Sequence, residues 1–388
     1  MSEAKIDLNN LDKSNWKTYR FDEIAKNISE RVDPNNTDLE VYIGLEHIDS
    51  ESLHIKRHGT PDDVNGTKLK FYKGDIIFGR RRAYQRKAGI ATWDGFCSAH
   101  ALVLRANTDV IDPELFPFFL HSDLFMNRAI DISVGSLSPT INWGTLKHQE
   151  FLIPAKEHQA QLAELLWSME EVIEKELLVL DNTQKSLNSL QKKLYKNESK
   201  KKIHLRKYCT VLGGFAFPSK KFKENGTLVV KIKNIVNGSL KFDHKENHID
   251  VDDFKNIEKF KLQPKDALIA MTGATLGKVG IVQDKIESAY LNQRVGKFIF
   301  KKSVYQDCLY GLFKSSYFLY ELTKFIGVGA QGNISSEDIE KCLVPDLTEN
   351  DCYEYGQMFN SLFNASKDLG SKVYLSKSLH KSLINKIF

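Results

Sequence analysis

A cluster of positively charged side chains follows the apolar residues 76–78 of this 388-residue chain. Residues 80–87 read Arg-Arg-Arg-Ala-Tyr-Gln-Arg-Lys, so five of these eight side chains are cations. Arginine can donate paired hydrogen bonds to a guanine edge or a phosphate, and glutamine matches the donor and acceptor of adenine. We therefore predict that this segment contacts DNA; a solvated charged surface is the alternative interpretation. The candidate residues are Arg80, Arg81, Arg82, Tyr84, Gln85, Arg86 and Lys87.

A glycine-rich segment in the second half of the chain resembles a phosphate-binding loop only in part. Residues 273–279 read Gly-Ala-Thr-Leu-Gly-Lys-Val, with three residues between the glycines and Val after Lys. A P-loop has four residues between its glycines and Ser or Thr after the Lys, so this spacing argues against nucleotide hydrolysis. We predict instead a tight connection between two strands whose Lys278 faces a DNA phosphate backbone, with Thr272 and Thr275 beside it. A plain β-hairpin is the alternative.

Polar segments elsewhere in each half carry side chains that can read base edges. Residues 136–142 and 329–335 occupy matching places in the two halves, and residues 292–294 match residues 99–101. Amide and hydroxyl groups of this kind hydrogen-bond to bases in the major groove. A structural turn is the alternative interpretation of each segment. The candidates are Ser136, Asn142, Asn292, Gln293, Arg294, Gln331 and Asn333.

Metal-binding and catalytic motifs are weak or missing in the sequence. His54 and His58 have zinc-like spacing, as do His244 and His248, but no Cys pair or third ligand accompanies either pair. Surface histidines are therefore the preferred interpretation, and we expect no metal site. The sequence also has no GxGxxG, no GxSxG and no Asn/Asp-Pro-Pro-aromatic methyltransferase tetrapeptide. We expect a chain without catalytic residues.

Two long helices are predicted to position these segments. Residues 157–196 lack Pro and Gly and place apolar residues seven apart, which indicates a helix facing another helix along its length. Glu176 and Thr183 are polar interruptions of this pattern. Residues 349–388 carry a second pattern of the same kind. We predict an antiparallel two-helix coiled coil; two unrelated core helices are the alternative. Its predicted seam comprises Leu166, Met169, Ile173, Leu180, Leu187, Leu190, Leu194, Phe359, Leu362, Leu369, Val373, Leu383 and Ile387.

The globular parts before each long helix are copies of one another. A shift of 191 residues places Asp75 on Asp266 and Lys87 on Lys278 without a gap. Duplication on this scale predicts a pseudo-symmetric α+β protein with two α/β domains and two long helices. The predicted bounds are 1–155 for the first domain, 156–200 for the central helix, 201–347 for the second domain and 348–388 for the C-terminal helix.

Composition limits the class of protein. The formal net charge is +5, and the five Cys residues form no CxxC pair, which favours reduced thiols in a cytoplasm over a disulfide framework. The N-terminal residues have no apolar core of the signal-peptide type, and no apolar run reaches about 18 residues. We expect a cytoplasmic protein without a membrane partner.

Several segments resemble the specificity (S) subunit of type I restriction-modification enzymes. Residues 213–222 and 229–238 resemble the opening of a target recognition domain of that family, with residues 42–48 as the counterpart in the first half. Residues 272–281 and 329–334 are also similar to the family. Lys231 and Lys233 lie in the segment 229–238 and are added as DNA-binding candidates. The first half departs from the pattern, because an arginine-rich hairpin replaces the glycine-rich one.

The resemblance implies a non-catalytic chain in a larger complex. Each of two target recognition domains would read half of a bipartite target in double-stranded DNA, and the paired helices would set the length of the spacer. Two methyltransferase (M) subunits would dock and supply S-adenosylmethionine and adenine methylation. Restriction (R) subunits would add translocation and cleavage with ATP and Mg²⁺. The chain itself would bind no cofactor.

Two other functions stay open from the sequence. The chain resembles equally the specificity subunit of a type IIB-like or methylation-only system. A structural or RNA-binding adaptor that uses its coiled coil for assembly is the second alternative. This adaptor predicts little preference for duplex DNA.

Overall fold

Two long helices and two sets of short strands form the framework of the fold, as the apolar periodicities of the sequence predict. The computed structural model describes residues 11–242, 247–283, 286, 288–326 and 332–388. Residue contacts divide the chain into two units, Met1–Leu177 with Ser371–Phe388 and Leu178–Gly370. The fold class is α+β, as predicted.

The contact division differs from the predicted domain bounds because it crosses both long helices. Leu162 and Leu166, early in the central helix, lie in a hydrophobic core of the first unit. Leu187 and Leu194, near its end, lie in a core of the second unit. Each half of the helix is thus part of the core beside it. The predicted bounds describe sequence segments and stay predictions.

The first unit consists mainly of a series of short strands, followed by three short helices and one last strand before the chain enters the central helix. Its strands form two four-stranded sheets, ordered β2-β9-β6-β7 and β3-β5-β8-β4, and an antiparallel pair, β1 with β10. The elements are β1 (Lys17–Arg20), α1 (Phe21–Ile24), β2 (Ala25–Ile28), β3 (Arg31–Val32), β4 (Tyr42–Ile43), β5 (Lys68–Phe71), β6 (Ile76–Gly79), β7 (Ala88–Ile90), β8 (Gly95–Cys97), β9 (Ala101–Ala106), α2 (Phe116–His121), α3 (Asp123–Asp131), α4 (Trp143–Leu146), β10 (Glu150–Ile153) and the long α5 (Lys156–Tyr195).

The second unit repeats this succession and ends in the second long helix. Its strands form a six-stranded sheet, β12-β20-β17-β18-β15-β14, a three-stranded sheet, β16-β13-β19, and an antiparallel pair, β11 with β21. The elements are β11 (Lys202–His204), β12 (Cys209–Gly213), β13 (Thr227–Val230), β14 (Ile235–Val236), β15 (Gly238–Leu240), β16 (His248–Ile249), β17 (Ala267–Ala270), β18 (Val279–Ile281), β19 (Ala289–Leu291), β20 (Val295–Phe300), α6 (Val304–Phe313), α7 (Ser316–Thr323), α8 (Ser336–Lys341), β21 (Leu343–Pro345) and α9 (Glu349–Ile387).

The duplication extends to individual hydrogen bonds at the turn before the central strand of each unit. The carboxylate of Asp75 accepts a hydrogen bond from the backbone N–H of Tyr72 at 2.9 Å. The carboxylate of Asp266 accepts the same bond from Gln263 at 2.8 Å. These pairs are those that the shift of 191 residues relates. The repeat in the sequence therefore corresponds to a repeat in backbone geometry.

The two long helices pack in antiparallel directions within the first unit. Glu170 of α5 contacts His380 of α9, and Glu176 contacts Lys372, so the numbering rises along one helix as it falls along the other. The predicted seam residues Leu166, Ile173, Leu187, Leu194, Phe359, Val373 and Ile387 are buried, and Met169, Leu180, Leu190, Leu362, Leu369 and Leu383 are half-buried. Two polar residues, Glu176 and His380, are buried as well.

None of the helices in the described ranges combines the length and the apolar composition that crossing a membrane requires.

Candidate nucleic-acid interface

Three loops of the first unit converge at the end of strand β6. The backbone N–H of Arg80 donates to the carbonyl of His100 at 3.1 Å, and the Arg80 carbonyl accepts from the N–H of Ile141 at 2.9 Å. The N–H of Arg82 donates to the carbonyl of Pro139 at 2.7 Å. The basic hairpin therefore lies between residues 98–100 and the polar segment 136–142.

The same three loops converge in the second unit at the end of strand β17. The N–H of Met271 donates to the carbonyl of Arg294 at 3.0 Å, and the Met271 carbonyl accepts from the N–H of Ile334 at 3.0 Å. The N–H of Gly273 donates to the carbonyl of Gly332 at 3.2 Å. We call each set of three converging segments a loop cluster: residues 80–87, 98–100 and 136–142 in the first unit, and residues 271–278, 292–294 and 332–335 in the second.

The two hairpins turn through left-handed residues of different type. Both connect antiparallel strands, β6 with β7 and β17 with β18. Gly273 and Gly277 have φ of +73° and +80°, a region that glycine enters without steric penalty. In the first hairpin Arg82 and Arg86 occupy this region, at +57° and +51°. A non-glycine residue is uncommon there, so contacts of these arginines with the rest of the unit must hold the turn.

Five predicted DNA-binding residues present exposed side chains in the loop cluster of the first unit: Arg81, Arg82, Tyr84, Ser136 and Asn142. Neither Arg81 nor Arg82 forms an ion pair with a carboxylate of the described residues. Tyr84 is 54% exposed, which is high for an aromatic ring. Unpaired guanidinium groups beside amide and hydroxyl groups can neutralise phosphates and bond to base edges.

Other cations of the first hairpin point into the protein. The Arg86 guanidinium pairs with the carboxylate of Asp123, and its Nε lies 3.3 Å from Oε1 of Glu51. The pKa of Glu51 is lowered, chiefly by its hydrogen bond with Lys381 and further by the charge of Arg86. Lys87 donates through Nζ to the carbonyl of Leu45 at 2.6 Å. In this conformation Arg86 and Lys87 hold the hairpin in place.

The remaining candidates of this hairpin are half-buried. Nε of Arg80 is buried and has no hydrogen-bond partner among the described residues. The backbone carbonyl of Gln85 accepts from the Ser50 hydroxyl, which ties the turn to the segment before it.

In the second unit, Lys278, Gln293, Arg294 and Asn333 have exposed side chains in the loop cluster. Thr272 is buried, and its hydroxyl donates to the side-chain oxygen of Asn333. That bond fixes the amide of Asn333 and leaves its NH₂ group free to donate elsewhere.

Four further candidates of the second unit contribute less directly. Asn292 is half-buried, and its backbone N–H donates to the carbonyl of Val230 at 3.1 Å. Thr275 is half-buried, and its hydroxyl has no partner in the part of the chain that the structure describes. Lys231 donates to the side chain of Asn247 at 2.7 Å, and Lys233 is exposed. Both lysines lie outside the backbone frame of the loop cluster. Gln331 lies outside the described residues.

Two residues of the first loop cluster have large, exposed side chains although neither is among the predicted DNA-binding residues. His100 is exposed, and its carbonyl accepts a backbone bond from the hairpin, as the carbonyl of Arg294 does in the second unit. Leu137, at the tip of residues 136–142, is 91% exposed. The match between residues 99–101 and 292–294 is the sequence signal for His100; no polar pattern indicates Leu137.

A family model described as the type I restriction modification DNA specificity domain matches the chain twice, over residues 13–179 and 197–346. The two matches span most of the 388 residues. The chain belongs to this specificity-domain family. Each specificity-domain match contains one complete loop cluster.

Curated members of the specificity-domain family align with parts of the chain. The type I restriction enzyme EcoDI specificity subunit of Escherichia coli is 28% identical over 169 residues, which is 42% of this chain and 37% of that protein. The MjaVIII specificity subunit of Methanocaldococcus jannaschii is 27% identical over 213 residues, half of each chain. The chain thus spans half or less of the length of these relatives in the alignments.

Solved structures share the fold over nearly the whole chain. The S subunit of a type I restriction-modification system from M. genitalium has a TM-score of 0.63 at 15% identity and covers 96% of both chains. A chain from a type I R-M system, solved to describe complex assembly and conformational transition, has a TM-score of 0.58 at 17% identity and covers 96% of this chain and 97% of its own. At these identities the likeness is one of fold.

Proposed function

We propose that the chain is the non-catalytic DNA-specificity subunit of a type I restriction-modification complex. Each unit reads one half of a bipartite target in double-stranded DNA through its loop cluster. The chain also holds the other subunits, two methyltransferase and the restriction subunits, on that target. S-adenosylmethionine, ATP and Mg²⁺ are bound by those partners, which perform the chemistry.

The observation that supports this proposal is the duplicated loop cluster. The same backbone hydrogen bonds bring three loops together in each unit, inside each match to the specificity-domain family. A duplicated frame with different exposed side chains suits a target of two different half-sites. Arg81 and Arg82 in one cluster, and Lys278 and Arg294 in the other, supply the positive charge that phosphates attract.

The first experiment maps methylated adenines on DNA after the chain is co-expressed with the methyltransferase subunit of its system. The proposal predicts a split motif with two short half-sites. Without the restriction subunit the same motif is expected, since methylation needs only specificity and methyltransferase subunits in this scheme. No methylation by a folded complex contradicts the proposal and favours an assembly adaptor.

The second experiment measures the salt dependence of DNA binding for the double variant Arg81→Ala/Arg82→Ala. The slope of log K against log salt is negative, and each lost phosphate contact reduces its magnitude by about 0.9, so the magnitude should fall by about 2. In the mapped methylation motif, sequence preference should be lost at one half-site only. The matched control is Arg31→Ala/Arg57→Ala, which removes two exposed arginines of the same unit outside the loop cluster. Equal slopes in both double variants contradict the role assigned to the hairpin.

A further inference from the structure

One histidine and two carboxylates meet on the surface of α5 within the first unit. The ligand atoms of His54, Glu170 and Glu174 all lie within 4.8 Å of one another. Glu170 and Glu174 are four residues apart on one helix and therefore project from the same face. His54 reaches them from a segment fixed by the backbone bond from the Ile90 N–H to the Leu53 carbonyl, at 2.9 Å.

The His54 ring nitrogen that faces the carboxylates lies within ion-pair distance of Glu170 but makes no hydrogen bond with any of the described residues. Nε2 lies 3.2 Å from Oε1 of Glu170, is buried, and has no hydrogen-bond partner anywhere in the described ranges. Zinc bonds of about 2.0–2.2 Å place neighbouring ligands of a tetrahedral site roughly 3.3 Å apart. The separation of His54 from Glu170 matches that of two ligands on one ion as well as that of an ion pair.

A second histidine holds the Glu170 carboxylate from its other side. Nδ1 of His380 lies 3.3 Å from Oε2 of Glu170, and His380 is only 6% exposed. Its ring packs edge-on against Phe118, with centroids 5.5 Å apart. Metal-ligating groups are commonly oriented by such outer partners, whose loss weakens metal binding 10- to 100-fold.

The ammonium of Lys56 pairs with the carboxylate of Glu174, the third of the candidate ligands. Nζ of Lys56 lies 2.6 Å from Oε2 of Glu174, and the Lys56 side chain is half exposed. Because its stem reaches solvent, this ammonium can leave as a metal ion enters. A cleft of about 560 Å³, lined by Lys56, Glu170 and Glu174 among others, gives the ion a route from solvent.

We propose that His54, Glu170 and Glu174 bind one divalent transition-metal ion, with its fourth position open to the cleft and His380 orienting Glu170. One imidazole with two carboxylates suits Zn²⁺, which such sites also bind more tightly than Mn²⁺. The ion ties the segment that carries His54 to α5 inside the first unit. This site is separate from the loop cluster and from the proposed DNA function. The sequence motif pairs His54 with His58, whereas the carboxylates that lie beside His54 in the structure, Glu170 and Glu174, come from α5.

The test measures zinc binding to the full chain, purified without a histidine tag, by metal analysis after dialysis and by competition with a chromophoric chelator. Wild type should retain one zinc per chain. His54→Gln and Glu174→Gln should each weaken the affinity by about 100-fold, and His380→Asn by at least about 10-fold. His54 and Glu174 are partly exposed, so circular dichroism should show an unchanged fold in their variants.

Two further variants separate a metal site from a network of ion pairs. Glu171→Gln is the matched control, since Glu171 is the exposed neighbour of Glu170 on the same helix and pairs with Lys175. Its zinc affinity should equal wild type. Lys56→Gln removes the competing ammonium and should tighten zinc binding several-fold. No retained zinc, equal affinity in all variants, or weaker binding by Lys56→Gln overturns the proposal.

Discussion

Replacing the buried Glu176 by leucine should stabilise the first unit. Glu176 is 6% exposed, and neither carboxylate oxygen has a hydrogen-bond partner among the described residues. Its ion partner is Lys372, whose Nζ lies 3.3 Å from Oε1 and whose side chain is 67% exposed. The buried residues Ile173 and Val373 belong to the same helical seam. A charge thus occupies an apolar interface, and its ion partner among the described residues, Lys372, is solvated.

The expected magnitude follows from two opposing terms. At an effective dielectric constant of about 20, charges 3.3 Å apart attract by roughly 5 kcal/mol, which is an upper bound here because water surrounds most of the Lys372 side chain. Burial of the carboxylate costs several kcal/mol, so the two terms nearly cancel. Leucine removes both terms and buries an apolar side chain, worth about 2 kcal/mol. We therefore expect Glu176→Leu to raise the free energy of unfolding by about 2 kcal/mol.

Removing only the partner should have the opposite sign. Lys372→Ala leaves the buried carboxylate unpaired, which costs about 3–5 kcal/mol for fully buried pairs. Because water surrounds most of the Lys372 side chain, we expect a loss of about 1–2 kcal/mol. In a Glu176→Leu background, Lys372→Ala should change the free energy by less than about 0.5 kcal/mol.

Urea unfolding followed by tryptophan fluorescence measures these changes in the relevant unit. All four tryptophans, at positions 16, 93, 143 and 167, lie in the first unit, as do Glu176 and Lys372. The signal therefore reports on the unit that carries the substitutions. If Glu176→Leu lowers the free energy of unfolding as Lys372→Ala does, the pair is net stabilising and the reasoning above is wrong.

Two more predictions concern stability. Gly311→Ala should destabilise the second unit by about 1–3 kcal/mol, because the new Cβ would lie 2.3 Å from the ring of the buried Phe359. The control is Gly370→Ala, at a helical position where a Cβ meets open space, and it should raise stability slightly. Thermal unfolding followed by circular dichroism measures both changes. Burial lowers the pKa of His121 to about 4, below its unfolded value of 6.5, so the unfolded state binds the proton first as pH falls. Stability should drop by up to about 3 kcal/mol between pH 6.5 and 4, and an equally steep drop in His121→Gln would contradict this origin.

The sequence predicts those features that depend on local pattern. Heptad spacing correctly indicated α5 and α9, and the shift of 191 residues aligned Asp75 with Asp266, whose carboxylates accept matching bonds in the structure. Side-chain direction was not accessible in the same way. Arg86 points inward because Glu51 and Asp123, remote in sequence, supply carboxylates there.

The heptad pattern also did not predict which polar groups of the seam are buried. Glu176 counted as an interruption of the heptads, although it lies fully in the helix interface. His380 is a polar residue within the second pattern, and its partner Glu170 comes from the other helix. Heptad positions identify which residues face a partner helix, whereas the pairing of polar side chains across it depends on the relative register of two distant segments.

The backbone frame of the loop clusters makes them suited to protein engineering. Its bonds join N–H and C=O groups of Arg80, His100 and Ile141, and of the corresponding residues in the second unit. Main-chain bonds of this kind can form whatever side chain projects from the residue, proline excepted. A combinatorial library randomised at the exposed tips alone would keep its scaffold intact, and each unit could be diversified and selected independently of the other.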